Sequence, residues 1–222
     1  MIEAICPLAA ASPSDAIKTS WDFLLRGGLF MIPLVLTSIA GATAILYKFL
    51  SLSKSRVIPE SLADQIARFH ELIATDRAEP LLREFEKGQS TLARLAGVAI
   101  RHRGRPQRDI ILAVESSARE ESARLHSGIG VIDTVTTIAP LLGLLGTASG
   151  LVTIFEGLSD ASNYMAIARG IAEAMTTTIA GLAIAVPGVI FHGYFTRRID
   201  VFTARLESLL ADLANHCQKP GA

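Results

Sequence analysis

Three long stretches of this chain lack any charged side chain: between Arg26 and Lys48, between Asp133 and Glu156, and between Glu173 and Arg197. Charge is scarce overall. It makes up 19% of the 222 residues, while half of them are hydrophobic and the mean hydropathy is +0.41. A soluble domain carries nearer a quarter charged residues. Each gap meets the roughly 20 apolar residues that a helix needs to cross a hydrocarbon core. Strict apolar–polar alternation is also missing, which excludes a closed barrel and leaves helices as the spanning elements. The two cysteines, Cys6 and Cys217, stand at opposite ends of the chain and offer neither metal-ligand spacing nor a disulfide framework. There is no basic block with interleaved aromatics and the net charge is zero, so nucleic acid is not an expected partner. No glycine-rich phosphate loop, nucleophile elbow or ligand cluster occurs, so no catalytic residue, cofactor or metal is expected. The opening "MIEAICPLAAASPSDA" lacks a basic n-region, and no cleaved signal peptide is expected from it.

What is present is an all-α membrane layout with three spans and long polar helical extensions. Residues 1–28 form an N-terminal segment. Within it "SDAIKTSWDFLLR" sets Ile17, Trp21, Leu24 and Leu25 at helical spacing, the pattern of an interfacial helix. The first span occupies 29–50, with Lys48 placed to snorkel at its end. Residues 51–127 form a polar helical insert. One face carries Leu62, Ile66, Phe69 and Ile73; Leu81, Leu82 and Phe85 follow until Gly88, and "STLARLAGVAIRHR" is a further helix that "GRPQR" interrupts. From Asp109 the pattern Ile111, Val114, Ala118, Glu121, Leu125, Ile129, Ile132 predicts one unbroken helix into the second span, 128–155. A short loop, 156–165, joins it to the third span, 166–195, and a C-terminal helix occupies 196–222. Lys54 and Arg56, Arg119 and Arg124, and Arg197, Arg198 and Arg205 flank one side of the membrane. The rule that cytoplasmic flanks are basic puts the insert and the C-terminus inside and the N-terminus outside.

The second span reads "VIDTVTTIAPLLGLLGTASGLVTIF". Thr136, Pro140, Gly143, Thr147 and Gly150 follow one another at alternating four- and three-residue steps, so one strip of the helix is small or polar. Gly146 and Gly150 add a small-xxx-small pair, which favours close helix packing. In the third span Ala174, Thr178, Gly181 and Ala185 form a matching strip. Glu173 and Thr177 lie one turn apart on a neighbouring strip, and Thr176 on another. An acid inside a span is a functional candidate by default, although close packing alone accounts for glycines and for isolated threonines.

"APLLGLLGTASGLVTIF" at 139–155 and "ARGIAEAMTTTIAGLAIAVPGVI" at 168–190 resemble the two signature segments of the MotA/TolQ/ExbB proton-channel family. Three spans around a large insert are similar to its ExbB and TolQ branch. That resemblance implies a homo-oligomeric ring, a pentamer, in the bacterial inner membrane, with the N-terminus periplasmic and the C-terminus cytoplasmic. The ring would surround the helices of a single-span ExbD- or TolR-like partner, whose aspartate carries the proton. It further implies that Thr147, Glu173, Thr178 and Thr177 line the proton pathway. Gly143, Gly146, Gly150, Gly170, Gly181, Pro140 and Pro187 would then serve helix packing. A TonB- or TolA-like protein would receive the work. The chain departs from the enterobacterial pattern of that family at His192–Gly193, where Tyr-Asn is usual, and has Ala148–Ser149 after Gly146–Thr147. The expectation is a subunit that uses proton-motive force to drive TonB-dependent transport. The alternatives are a TolQ-type envelope subunit and a non-conducting scaffold.

Overall fold

Charge-free runs can satisfy their backbone in lipid only by turning helical, and every regular element among the described residues is an α-helix. The computed structural model describes residues 28–69, 79–157 and 164–217, except the side chains of 156, 157, 164, 166, 169 and 173. The interfacial helix expected before the first span, Ile73, and residues 158–163 of the expected short loop lie outside the described residues. The elements are α1 (Met31–Ser51), α2 (Lys54–Val57), α3 (Glu60–Ala67), α4 (Glu79–Lys87), α5 (Thr91–Arg101), α6 (Gln107–His126), α7 (Ile129–Gly157) and α8 (Tyr164–Cys217). Three of them, α1, α7 and α8, contain segments long and apolar enough to cross a membrane.

The chain divides into two units. The first joins the described part of Met1–Thr43 to Val131–Ile190, and so holds most of α1, α7 and the first half of α8. Its core is Met31, Leu34 and Ala139, with Leu142, Ala180 and Ile184 packed against them. Gly41 lets α1 approach α7: a Cβ there would stand 3.0 Å from Val135 Cγ1. The outward faces are apolar. Ile32, Leu36 and Ile39 on α1, Leu141, Leu144 and Leu145 on α7, and Leu182, Val186 and Val189 on α8 are all exposed in the single chain. Apolar surface on this scale marks contact with lipid or with another protein.

The second unit joins Ala44–Gly130 to Phe191–Ala222. Its core is built from the faces that the periodicity marks: Leu62, Ile66 and Phe69, then Leu81 and Phe85, then Val114 and Leu125, are buried. Gly88 takes a left-handed φ of 57° just after α4, the geometry that stops a helix. Ser90 caps α5 by accepting from the Ala93 amide at 3.1 Å. Helix α5 packs on both α4 and α6. The buried Glu121 of α6 accepts from Arg94 Nε at 2.9 Å and from Arg124 at 3.2 Å. Phe49, Phe191, Tyr194 and Phe195 form an aromatic cluster, with Phe49 edge-on to Phe195 at 5.2 Å between centroids. Cys217 is buried, and its carbonyl accepts from the Gly104 amide.

Two features differ from what the sequence implies. The helix from Asp109 into the second span is not continuous. It stops at His126, Ser127 is extended (φ −55°, ψ 135°), and Gly128 at φ 83° turns the chain before α7 begins. An apolar strip that keeps its phase across a two-residue break looks unbroken in the sequence. Nor does Lys48 snorkel to water: it is 1% exposed, and its Nζ donates to the Leu125 carbonyl at 2.7 Å. A backbone acceptor freed by the break at the end of α6 takes up the ammonium instead.

Candidate functional site in the paired second and third spans

The small strips of α7 and α8 face each other within one chain. A Cβ added at Gly188 would lie 2.5 Å from Thr136 Cγ2, and one at Gly181 would lie 2.5 Å from Ala139 O. At Gly143 it would stand 3.0 Å from Thr178 Cα, at Gly146 2.4 Å from Thr177 Oγ1, at Gly150 2.8 Å from Ala174 Cβ, and at Gly170 2.7 Å from Ile154 Cγ1. Residue numbers rise along α7 as they fall along α8, so the two helices run antiparallel in a continuous close contact. Without a hydrophobic driving force in lipid, such contact is what holds helices together. Gly188 belongs to this seam although the sequence reading passed over it. Its signal was spacing, since it stands seven residues, two helical turns, beyond Gly181 on the same strip.

The hydroxyls divide by what they touch. Thr177 is 2% exposed, seated between the helices, and donates to the Ala174 carbonyl at 2.7 Å. Thr178 is half-buried and donates across the seam to the Gly143 carbonyl at 3.0 Å. Thr147, one turn beyond Gly143 and also half-buried, donates to Leu144 O at 2.7 Å on its own helix. Thr176 donates to Ala172 O. A hydroxyl that has given its hydrogen to a carbonyl keeps lone pairs and can still accept from water or from a protonated acid. Thr147 and Thr178 have room to do so. Thr177 is enclosed.

Glu173 belongs to α8, one turn before Thr177, and its side chain lies outside the described residues. Pro140 is half-buried within α7. It has no amide to give to the Thr136 carbonyl, an intrahelical bond missing in mid-span. Pro187 lies within α8 with its ring exposed at the chain's surface. Among the described residues no cluster of His, Cys, Asp or Glu has the arrangement of a metal site.

This paired-helix region is also where known proteins are similar. The description "MotA/TolQ/ExbB proton channel family" matches residues 76–208, which contain α4 to α7 and most of α8. A putative biopolymer transport protein ExbB-like 1 of Synechocystis is 31% identical over 173 residues, 74% of this chain and 66% of that protein. A putative ExbB homolog of Methanothermobacter thermautotrophicus is 31% identical over 183 residues, 82% of this chain and 64% of that protein. The biopolymer transport protein ExbB of Pseudomonas putida is 31% identical over 106 residues, 47% of this chain and 32% of that protein. The chain therefore spans less than two thirds of the length of these relatives. An antiparallel small-residue seam, threonines at mid-span and a family match covering most of that pair of helices lead to one conclusion: the chain belongs to the MotA/TolQ/ExbB proton channel family, in its ExbB branch.

Proposed function

We propose that this chain is a proton-pathway subunit of an ExbB-type complex in the inner membrane, with its insert and C-terminus cytoplasmic. Several copies form a ring, a pentamer, around the helices of a single-span partner that supplies the proton-carrying aspartate. Proton-motive force is thereby passed to a TonB-like protein. The observation that carries the reading is one acid, Glu173, and a set of threonines on two spans whose other charged residues, Asp133 and Arg169, stand near their ends. Between Asp133 and Glu156 there is no charged residue, and Glu173 stands alone before Arg197. The chain has no second acid in these stretches to hand a proton to, so the relay needs a partner's carboxyl.

In this reading Thr147, Glu173 and Thr178 face the partner. The hydroxyls of Thr147 and Thr178, whose hydrogens go to Leu144 and Gly143, serve as acceptors. They can hold a protonated carboxyl or a water in line, which favours the neutral acid away from bulk water. Thr177 locks the seam from within. The exposed apolar faces of α1, α7 and α8 meet lipid and neighbouring copies.

The test is reconstitution of the chain with its partner in liposomes that carry a pH-sensitive dye inside. An imposed proton gradient should collapse faster with both proteins present than with either alone. Equal leak from all three preparations would return the chain to the role of scaffold.

A further inference from the structure

The break between α6 and α7 leaves one carbonyl that two donors can claim. In an uninterrupted helix Leu125 O would accept from the Ile129 amide, four residues on. Here Lys48 Nζ takes that place at 2.7 Å. The two carbonyls before Leu125 O are already served: the Ser127 amide bonds Ala123 O and Arg124 O, and Ser127 Oγ also donates to Arg124 O. Lys48 is almost wholly buried, and its stem is seated against the turn. A Cβ at Gly128 would stand 3.6 Å from Lys48 Cε and 3.8 Å from Tyr47 Cδ1. A cation at a helix C-terminus is favoured by the partial negative charge of the free carbonyls.

The sequence nonetheless favours continuity. Val114, Glu121, Leu125, Ile129 and Ile132 are all buried, and they keep helical phase through the break. Only Ser127 and Gly128 speak against it. Glycine inside a helix is unfavourable relative to alanine by an amount comparable with one net backbone hydrogen bond. The penalty that the glycine puts on a continuous helix is thus of the size of the bond that Leu125 O would gain there, and a buried donor on that carbonyl can tip the balance.

We propose that Lys48 is a removable helix cap. Seated on Leu125, it ends α6 at His126. Withdrawn, it returns the carbonyl to the Ile129 amide, and the helix of the insert runs on through Ser127 and Gly128 into the second span. The long lysine stem can make that exchange because, at the end of a span, headgroups and water offer its ammonium another partner.

Amide hydrogen exchange on the full-length chain in detergent, read by mass spectrometry over residues 122–131, tests the proposal. Lys48→Met keeps the stem and deletes the donor. Gly128→Ala penalises the left-handed turn and favours the helix. Both should slow exchange at residues 128–131 by about tenfold or more, as new intrahelical bonds form there. A fixed cap predicts the opposite for Lys48→Met, with faster exchange over 122–127 as α6 frays and no gain beyond. Unchanged or faster exchange at 128–131 in either folded variant overturns the proposal. Should Lys48→Met fail to fold, Gly128→Ala decides alone.

Discussion

The hydroxyl of Thr178 donates to the carbonyl of Gly143 at 3.0 Å, across the seam between the second and third spans. This side-chain bond joins the two helices at the height of the candidate pathway. Interhelical hydrogen bonds in membranes average about 0.6 kcal/mol and reach about 1.7. Thr178→Val should therefore cost that little in thermal unfolding of the detergent-solubilised chain while leaving insertion intact. A loss of several kcal/mol would mean that the hydroxyl holds the fold rather than serving a pathway.

Glycine substitutions should separate sharply. Gly181→Ala drives a methyl to 2.5 Å from the Ala139 carbonyl, a backbone atom that moves only if its helix moves. Overpacking of this kind costs about 1–3 kcal/mol. Gly193 has nothing within 4 Å of its would-be Cβ, so Gly193→Ala should be neutral or should stabilise by up to about 1 kcal/mol through helix propensity. Equal unfolding temperatures for the two variants would contradict the packed seam.

The seam also shows how far the sequence could be read. Charge-free runs and four-three spacing located the spans and their small strips, because lipid and helix geometry leave few other solutions. Spacing alone could not tell which of Thr176, Thr177 and Thr178 faces the other helix. That depends on the register of α7 against α8, which is set by which glycine meets which backbone atom. The burial of Thr177 became visible only once Gly146 stood opposite it. The fate of Lys48 was hidden for a similar reason: the acceptor it finds is a backbone carbonyl 77 residues away, exposed by a break that the apolar phase does not reveal.

In the insert, Arg94 and Glu121 should prove unequal. Glu121 is nearly buried, whereas Arg94 is 40% exposed and also donates to Gly88 O and Thr91 Oγ1. The hydrogen bond to Glu121 pushes the Arg94 guanidinium still higher than usual. Removing the arginine strands a buried carboxylate with Arg124 as its remaining described partner; removing the acid leaves an arginine that water can reach. Arg94→Met should therefore destabilise more than Glu121→Gln, by about 1 kcal/mol given the partial exposure. Urea unfolding of the two variants checks the order, and the reverse order would contradict it.

Lys54 holds the carboxyl of Glu60 below the usual carboxylate range through a direct hydrogen bond and charge attraction. A depressed folded value means that the pair's contribution is present above the ordinary carboxylate pKa and is lost as pH falls through the lowered one. Carbon-detected titration of Glu60 should show the depression, and Lys54→Met should remove most of it, leaving the weaker pull of Arg205. Because both groups are exposed, salt should weaken the effect as well. A titration indifferent to Lys54 would remove the pair from the account.

The central claim is that protons pass where the second and third spans meet a partner's carboxyl, and dye-loaded liposomes holding the chain and that partner test it most directly. Glu173→Gln fixes one site neutral, and Thr147→Val removes one acceptor. An unpaired polar group away from bulk water costs roughly 1–3 kcal/mol, so each change should slow proton uptake by about one to two powers of ten if that step is limiting. Thr176→Val, on a different strip of α8 from Glu173 and Thr178, should leave the rate near wild type, and all three variants should still bind the partner. Wild-type uptake by Glu173→Gln and Thr147→Val, with partner bound, would contradict the account.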